Sequence, residues 1–292
     1  MISPTFARKL QSLRPIHYIT IAAAVALIAI LYFGGNIVPP KKEGANTPVA
    51  SGNTPHSVAP ASFDSILSVA RQQLPAHAAE EIKTIETQLA AIRDSSRMAV
   101  VFDTLAKVWQ RHKQGPVAAY YYLLAAKLDN SEKKLTFAAQ LFLDLARKAN
   151  SESAQAWSGQ MAIDGFNRVL SINPGNDTAK VLLAECYIGT GQTMDGVMML
   201  REVTEKDPNN VPANLILGQQ GIVSGQLDKA MARFETVLKQ EPRNIEALLG
   251  LAEAYKNDGD KEKAINLLEQ SKQVMNNPEF SKDIDAYIKS FK

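Results

Sequence analysis

The sequence predicts an all-α fold: a solenoid of stacked helix pairs, preceded by one membrane-spanning helix and a flexible linker. Three observations carry this prediction. Pro174, Pro208 and Pro242 stand 34 residues apart, each followed by a polar pair (Gly175-Asn176, Asn209-Asn210, Arg243-Asn244) suited to ending one helix and starting the next. Between them, two apolar-periodic stretches per unit flank a glycine turn at Gly191-Gln192, Gly225-Gln226 and Gly259-Asp260. Upstream, a long uncharged run near the start of the chain is separated from the periodic region by a segment rich in Pro, Gly, Ser and Thr.

Residues 1–15 are a basic N-terminal segment carrying Arg8, Lys9 and Arg14. Residues 16–38 read IHYITIAAAVALIAILYFGGNIV, without a charge. As a helix this run spans roughly 34 Å, enough to cross the ~30 Å hydrocarbon layer of a bilayer. His17, Tyr18, Tyr32 and Phe33 lie towards its ends, where amphipathic rings suit the headgroup boundary. A cleaved secretory signal would share the basic start. The run is longer than a usual signal core, however, and Gly34 to Pro40 lacks a small-x-small cleavage pattern, which favours an uncleaved anchor. The excess of basic residues before the span, against Lys41, Lys42 and Glu43 after it, predicts a cytoplasmic N-terminus, with the rest of the chain on the outer side.

Residues 39–61 are expected to be the flexible linker, because they show no sustained apolar periodicity. Residues 62–95 read as a helical pair broken at Pro75. Residues 96–276 form the expected array, and 277–292 a closing helix with Phe280, Ile284, Ile288 and Phe291 along one face. Within the array, Phe102, Leu105, Ala106 and Trp109 mark a first helix, and Ala118, Tyr122 and Ala125 its partner. Of the run Tyr120 to Tyr122, the last is expected to pack and the others to be partly exposed. Between Asn130 and Pro174 the spacing is 44 residues, and the surplus is expected to lengthen a turn near Ala149 to Trp157. Ala162, Phe166, Val169 and Leu170 fit the second half of that unit.

The repeated residues resemble the tetratricopeptide repeat, whose pattern places Trp, Leu, Gly and Tyr on a first helix, Ala and Phe on a second, and then Pro. The matches are Leu183, Ala184, Tyr187, Leu200 and Val203; then Leu217, Gly218, Ala230, Phe234 and Val237; then Leu251, Ala252, Tyr255, Ala264 and Leu268. Small residues let paired helices approach, and large ones fill the gaps. The resemblance implies that the first helices of successive repeats line a surface that receives proteins or peptides. By register, its lining would be Val181, Glu185 and Ile188; Leu215, Gln219 and Ile222; and Leu249, Glu253 and Lys256. Family members that clamp a terminal carboxylate use Lys, Asn and Arg at several of these places, so Val181, Leu215 and Leu249 argue against such a clamp.

Two departures stand out. Asn214 replaces the pattern's Trp and Gly221 its Tyr, which either opens a notch for a partner side chain or is repacked by neighbours. Met194, Met198 and Met199 surround Gly196, and core filling is the expected role of this group.

Other chemistry is constrained by composition. The chain carries a net charge of +2 and 46% hydrophobic residues, and the basic excess lies within residues 1–60, leaving the remainder slightly acidic. No basic stripe for nucleic acid is expected. Cys186, the lone cysteine, cannot form an intrachain disulfide and reads as a buried structural thiol. Asp258-Gly259-Asp260-Lys261-Glu262 falls on a repeat turn and lacks the ligand spacing of a calcium loop. No catalytic residue, metal or cofactor is expected, since His17, His56, His77 and His112 are scattered and no phosphate loop or nucleophile elbow occurs.

The leading expectation is therefore a non-catalytic scaffold or assembly factor. It resembles bacterial repeat proteins held in the inner membrane, with the C-terminal domain in the periplasm and other proteins or peptides as partners. The alternative is an import-receptor-like arrangement of an organelle, with cytosolic repeats. A remote alternative is an enzyme with a site within residues 129–157.

Overall fold

The computed structural model describes residues 59–291. The expected basic segment, the anchor and all of the linker except its last three residues lie outside the described residues. Among the described residues the fold is all-helical, and none of its helices is long and apolar enough to cross a membrane.

Among the described residues thirteen helices follow in order: α1 Phe63–Gln72, α2 Ala76–Ala91, α3 Ser95–Arg111, α4 Gly115–Asp129, α5 Glu132–Arg147, α6 Glu152–Ile172 and α7 Asp177–Gly189. They continue with α8 Thr193–Lys206, α9 Val211–Val223, α10 Leu227–Gln240, α11 Ile245–Asp258, α12 Lys261–Met275 and α13 Pro278–Lys289. Five antiparallel hairpins stack in sequence: α3 with α4, α5 with α6, α7 with α8, α9 with α10, and α11 with α12. Each second helix also packs on the first helix of the next hairpin, and α13 closes the stack against α12. This is a solenoid of stacked helix pairs, in which each pair buries its apolar stripe only through its neighbours.

Local sequence explains the helix ends. The asparagines that follow the periodic prolines are N-caps: the side chains of Asn176, Asn210 and Asn244 accept hydrogen bonds from the backbone N–H of Ala179, Ala213 and Ala247 at 2.9, 3.1 and 2.9 Å. The intra-pair turns place Gly191, Gly225 and Gly259 at φ of +88°, +72° and +96°, a region costly for any residue with a Cβ. Asp260 then caps α12 through Lys263 N at 3.0 Å and pairs with the Lys263 ammonium at 2.9 Å. Its acidic neighbourhood is thus a turn and a helix start.

The core repeats with the same period. Gly196, Ala230 and Ala264 are the small contacts, and Leu200, Phe234 and Leu268 the large ones, all buried. Fully burying one such large side chain contributes roughly 1.5–3 kcal/mol.

The structure differs from expectation in the unit between Asn130 and Pro174. Its surplus lies in the helices: α6 has 21 residues against 14 in α8 and in α10, and only Lys148 to Ser151 separate it from α5. The extension is helical because Ser151 caps it through Ala154 N at 3.3 Å and because Trp157 is buried edge-on against Phe142, with ring centroids 5.3 Å apart. It also receives the start of the described chain, where Ala61 N donates to Ser153 O at 3.0 Å.

Helices α1 and α2 pack on different members of the first hairpin, α1 on α4 and α2 on α3. Phe63 of α1 stacks on Tyr120 at 3.7 Å between centroids and meets Tyr121 edge-on at 6.0 Å. Tyr121, not Tyr122, is accordingly the buried member of the tyrosine run, because α1 covers that side of α4.

Candidate functional site

The first helices α5, α7, α9 and α11 lie side by side, each touching the next. The nine residues expected to line their shared face separate into three kinds. Val181 and Leu215 are only 5% and 7% exposed, which excludes them as open lining. Val181 packs in one cluster with Ala213 and Leu217 of α9, and Leu215 in one with Ala247 and Leu251 of α11. Leu249, half-buried, packs on the cluster that holds Ile284 and Phe291 at the C-terminal end. These positions sit on the flank where one first helix meets its neighbour, so stacking covers them. Ile188 and Ile222 are half-buried against the same clusters.

The remaining positions form a polar stripe. Glu185 receives two hydrogen bonds from Arg147 of α5, Nε to Oε1 at 2.8 Å and Nη2 to Oε2 at 2.7 Å. This fork raises the Arg147 pKa above its ordinary value, chiefly through the Glu185 hydrogen bond. Gln219 is exposed. Glu253 accepts from the Tyr287 hydroxyl of α13, to which Lys256 Nζ donates at 2.7 Å. The same ammonium lies 4.6 Å from the Tyr287 ring centroid. The C-terminal helix thereby occupies the last part of the face, as α5 engages the first part, and Gln219 remains open between them.

A cavity of about 180 Å³ adjoins the Arg147–Glu185 pair, walled by Leu143, Cys186, Ile188 and Thr190. Burial pushes the Cys186 thiol up to about 12, so it stays protonated at neutral pH. Among the described residues no group of three or more His, Cys, Asp or Glu side chains is placed to hold a metal ion.

Sequence reasoning passed over Arg147 and Tyr287. Arg147 belongs to the long unit, whose register the proline spacing does not define, and Tyr287 lies on a closing helix read only for its apolar face. It also misjudged the methionines: Met194 and Met198 are 70% and 56% exposed, while Met199 is half-buried. Asn214 opens no notch. It is completely buried, with its amide Nδ2 donating to Pro208 O and Asn210 O, each at 2.9 Å.

Residues 160–217 and 223–282 match the family model described as tetratricopeptide repeat, which spans α6 to α13. No curated protein matches the chain. Among solved structures it is similar to YrrB, described as a TPR protein with an unusual peptide-binding site, at 18% identity and a TM-score of 0.45, over 64% of this chain and 92% of that one. It is also similar to PilW, described as a widely conserved type IV pilus biogenesis factor, at 16% identity and a TM-score of 0.49, over 76% and 97% of the two chains. A third is MamA from Desulfovibrio magneticus, at 16% identity and a TM-score of 0.49, over 64% and 98%.

Proposed function

We propose that this chain is a non-catalytic protein-binding scaffold. In this reading residues 16–38 anchor it in a bacterial inner membrane, and the array on the periplasmic side binds partner proteins along its first helices, which line the inner side of a right-handed superhelix. The observation that carries the reading is the continuous face of first helices, on which Gln219 stays open between the Arg147–Glu185 ion pair and the hydrogen bonds that join Glu253 and Lys256 to Tyr287. The polar side chains there, with the Gln219 amide open among them, suit an extended segment recognised by hydrogen bonds more than by deep apolar burial. The uncharged run and the charge asymmetry around it support the tether and its orientation.

Binding is tested with Gln219→Arg in the full chain. The substitution is exposed, so the melting temperature should be unchanged while a co-purifying partner is lost; retention of the partner at wild-type level would remove Gln219 from the interface. The orientation is tested by protease treatment. The array should be protected in intact cells and digested in spheroplasts, whereas digestion only after lysis would place it in the cytoplasm.

A further inference from the structure

Helices α8, α9 and α10 enclose an open cavity of about 450 Å³, within the range typical of ligand pockets. Leu217 and Gly221 of α9 line it, with Met194 and Arg201 of α8 on one side and Lys229 and Arg233 of α10 on the other.

One repeat further on, the equivalent space is filled. Tyr255 stands 34 residues after Gly221, Glu235 after Arg201, and Lys263 after Lys229. There the Tyr255 hydroxyl donates to Glu235 Oε1 at 3.4 Å, and Lys263 Nζ lies 4.8 Å from the ring centroid. In the repeat of α9 the ring is missing and the acidic partner is replaced by a base. The opposing residue is the same, since Ala230 lies 34 residues before Ala264.

The charge around this space is uncompensated. No carboxylate lines the cavity, and Arg201, Lys229 and Arg233 all do. Arg233 Nη1 donates to Asn214 Oδ1 at 3.0 Å, and that amide is held by two backbone carbonyls in complete burial. Burial, and after it the charge of Arg201, lower the Arg233 pKa from its ordinary value. The two departures from the repeat pattern therefore act on one place: Gly221, whose missing Cβ would lie 3.0 Å from Ala230, leaves the space without the ring that Tyr255 supplies one repeat on, and Asn214 positions a cation beside it. The rim is apolar and open, with Met194 70% and Val223 73% exposed. Adaptable methionine and exposed valine beside cations suit an amphipathic occupant.

We propose that this cavity receives an aromatic side chain from an acidic segment of a partner protein. The ring takes the place that Tyr255 fills in the next repeat, and carboxylates flanking it meet Arg201, Lys229 and Arg233. The site is distinct from the stripe around Gln219, because α9 contributes Leu217, Gln220, Gly221 and Val223 to the cavity wall and Gln219 is not part of it. Loss of one site leaves the other intact, so the two readings fail separately.

The test is calorimetric titration of the full-length chain with acetyl-Asp-Glu-Phe-Asp-Glu-amide, with the same peptide carrying Ala for Phe, and with one carrying Lys for each acid. The Phe peptide should bind at least about tenfold tighter than either relative, and added salt should weaken it. Arg201→Glu, at an exposed position and thus safe for folding, should weaken the Phe peptide by at least about tenfold. Lys229→Glu, at an exposed position on the same wall, should likewise weaken the Phe peptide, whereas Gly221 is left unchanged because a Cβ there would lie 3.0–3.2 Å from Ala230 of α10. Equal binding of the Phe and Ala peptides would overturn the proposal, as would indifference to Arg201→Glu. Vesicles of phosphatidylglycerol provide the last arm: if Arg201→Glu reduced vesicle binding and left the Phe peptide unchanged, the cavity would be a lipid contact and the proposal would fall.

Discussion

Phe234 shows how tightly single positions are set. Its ring is 1% exposed and is wedged between two glycines: a Cβ at Gly250 would lie 2.4 Å from the ring and one at Gly218 2.7 Å. Neither glycine has a side chain that could expand into the space it would vacate. Phe234→Ala should therefore cost about 3–5 kcal/mol, read as a lower urea midpoint at unchanged m-value. A loss below about 1 kcal/mol would mean that the hairpins collapse around the cavity. Cys186 makes a second prediction at this scale. In the unfolded chain its thiol titrates near about 8.5, and in the fold at about 12. Above the lower value the unfolded state gives up the proton first, so stability is full below about pH 8.5 and declines as pH rises towards 12, by at most about 1.4 kcal/mol per unit. Cys186→Ala should flatten the decline between about pH 8.5 and 10 in urea titrations; parallel curves for both proteins would remove burial of this thiol as the cause. Tyr121, pushed up to about 12 by burial, adds a similar decline from about pH 10 upwards.

At the scale of elements, the units with periodic prolines were readable because every device recurs at the same offset: an asparagine cap, a small contact, a large knob and a turn glycine. Leu200, Phe234 and Leu268 are buried where the pattern places them. The unit from Asn130 to Pro174 was less legible, because a helix lengthened by two turns keeps the same 3.6-residue period and leaves no turn signal to mark the addition. The expected lining failed at Val181 and Leu215 for a related reason. Register gives the position of a residue on its helix, whereas the distance to the neighbouring first helix decides whether that position is crest or flank. The closing helix α13 is held by Tyr287 through Lys256 and Glu253 of α11, and Tyr287 also meets Phe291, four residues on, edge-on at 5.1 Å. Tyr287→Ala should fray α13 while leaving α9 and α10 protected in hydrogen exchange, since each unit depends on its immediate neighbours. Equal loss of protection across the array would show instead that it unfolds as one unit.

For the whole molecule, stacking in sequence makes a long protein surface from a short rule, and the proposed binding sites lie where the rule is broken. Most first helices engage their neighbours, as Arg147 does Glu185, while the repeat of α9 carries the exposed Gln219, the missing ring at Gly221 and the buried Asn214. Pattern reading located Gly221 and Asn214 as departures. It could not see that Arg201, Lys229 and Arg233 converge there, because their juxtaposition arises only when α8 and α10 are both packed against α9. The central claim is that the array binds proteins through its first-helix face. Its most direct test is a photo-crosslinking amino acid placed at Gln219, and separately at Lys239 on the exposed side of α10, in full-length chains expressed in cells. The account predicts one defined partner adduct from position 219 and none from 239; equal capture at both, or capture at 239 alone, would contradict it.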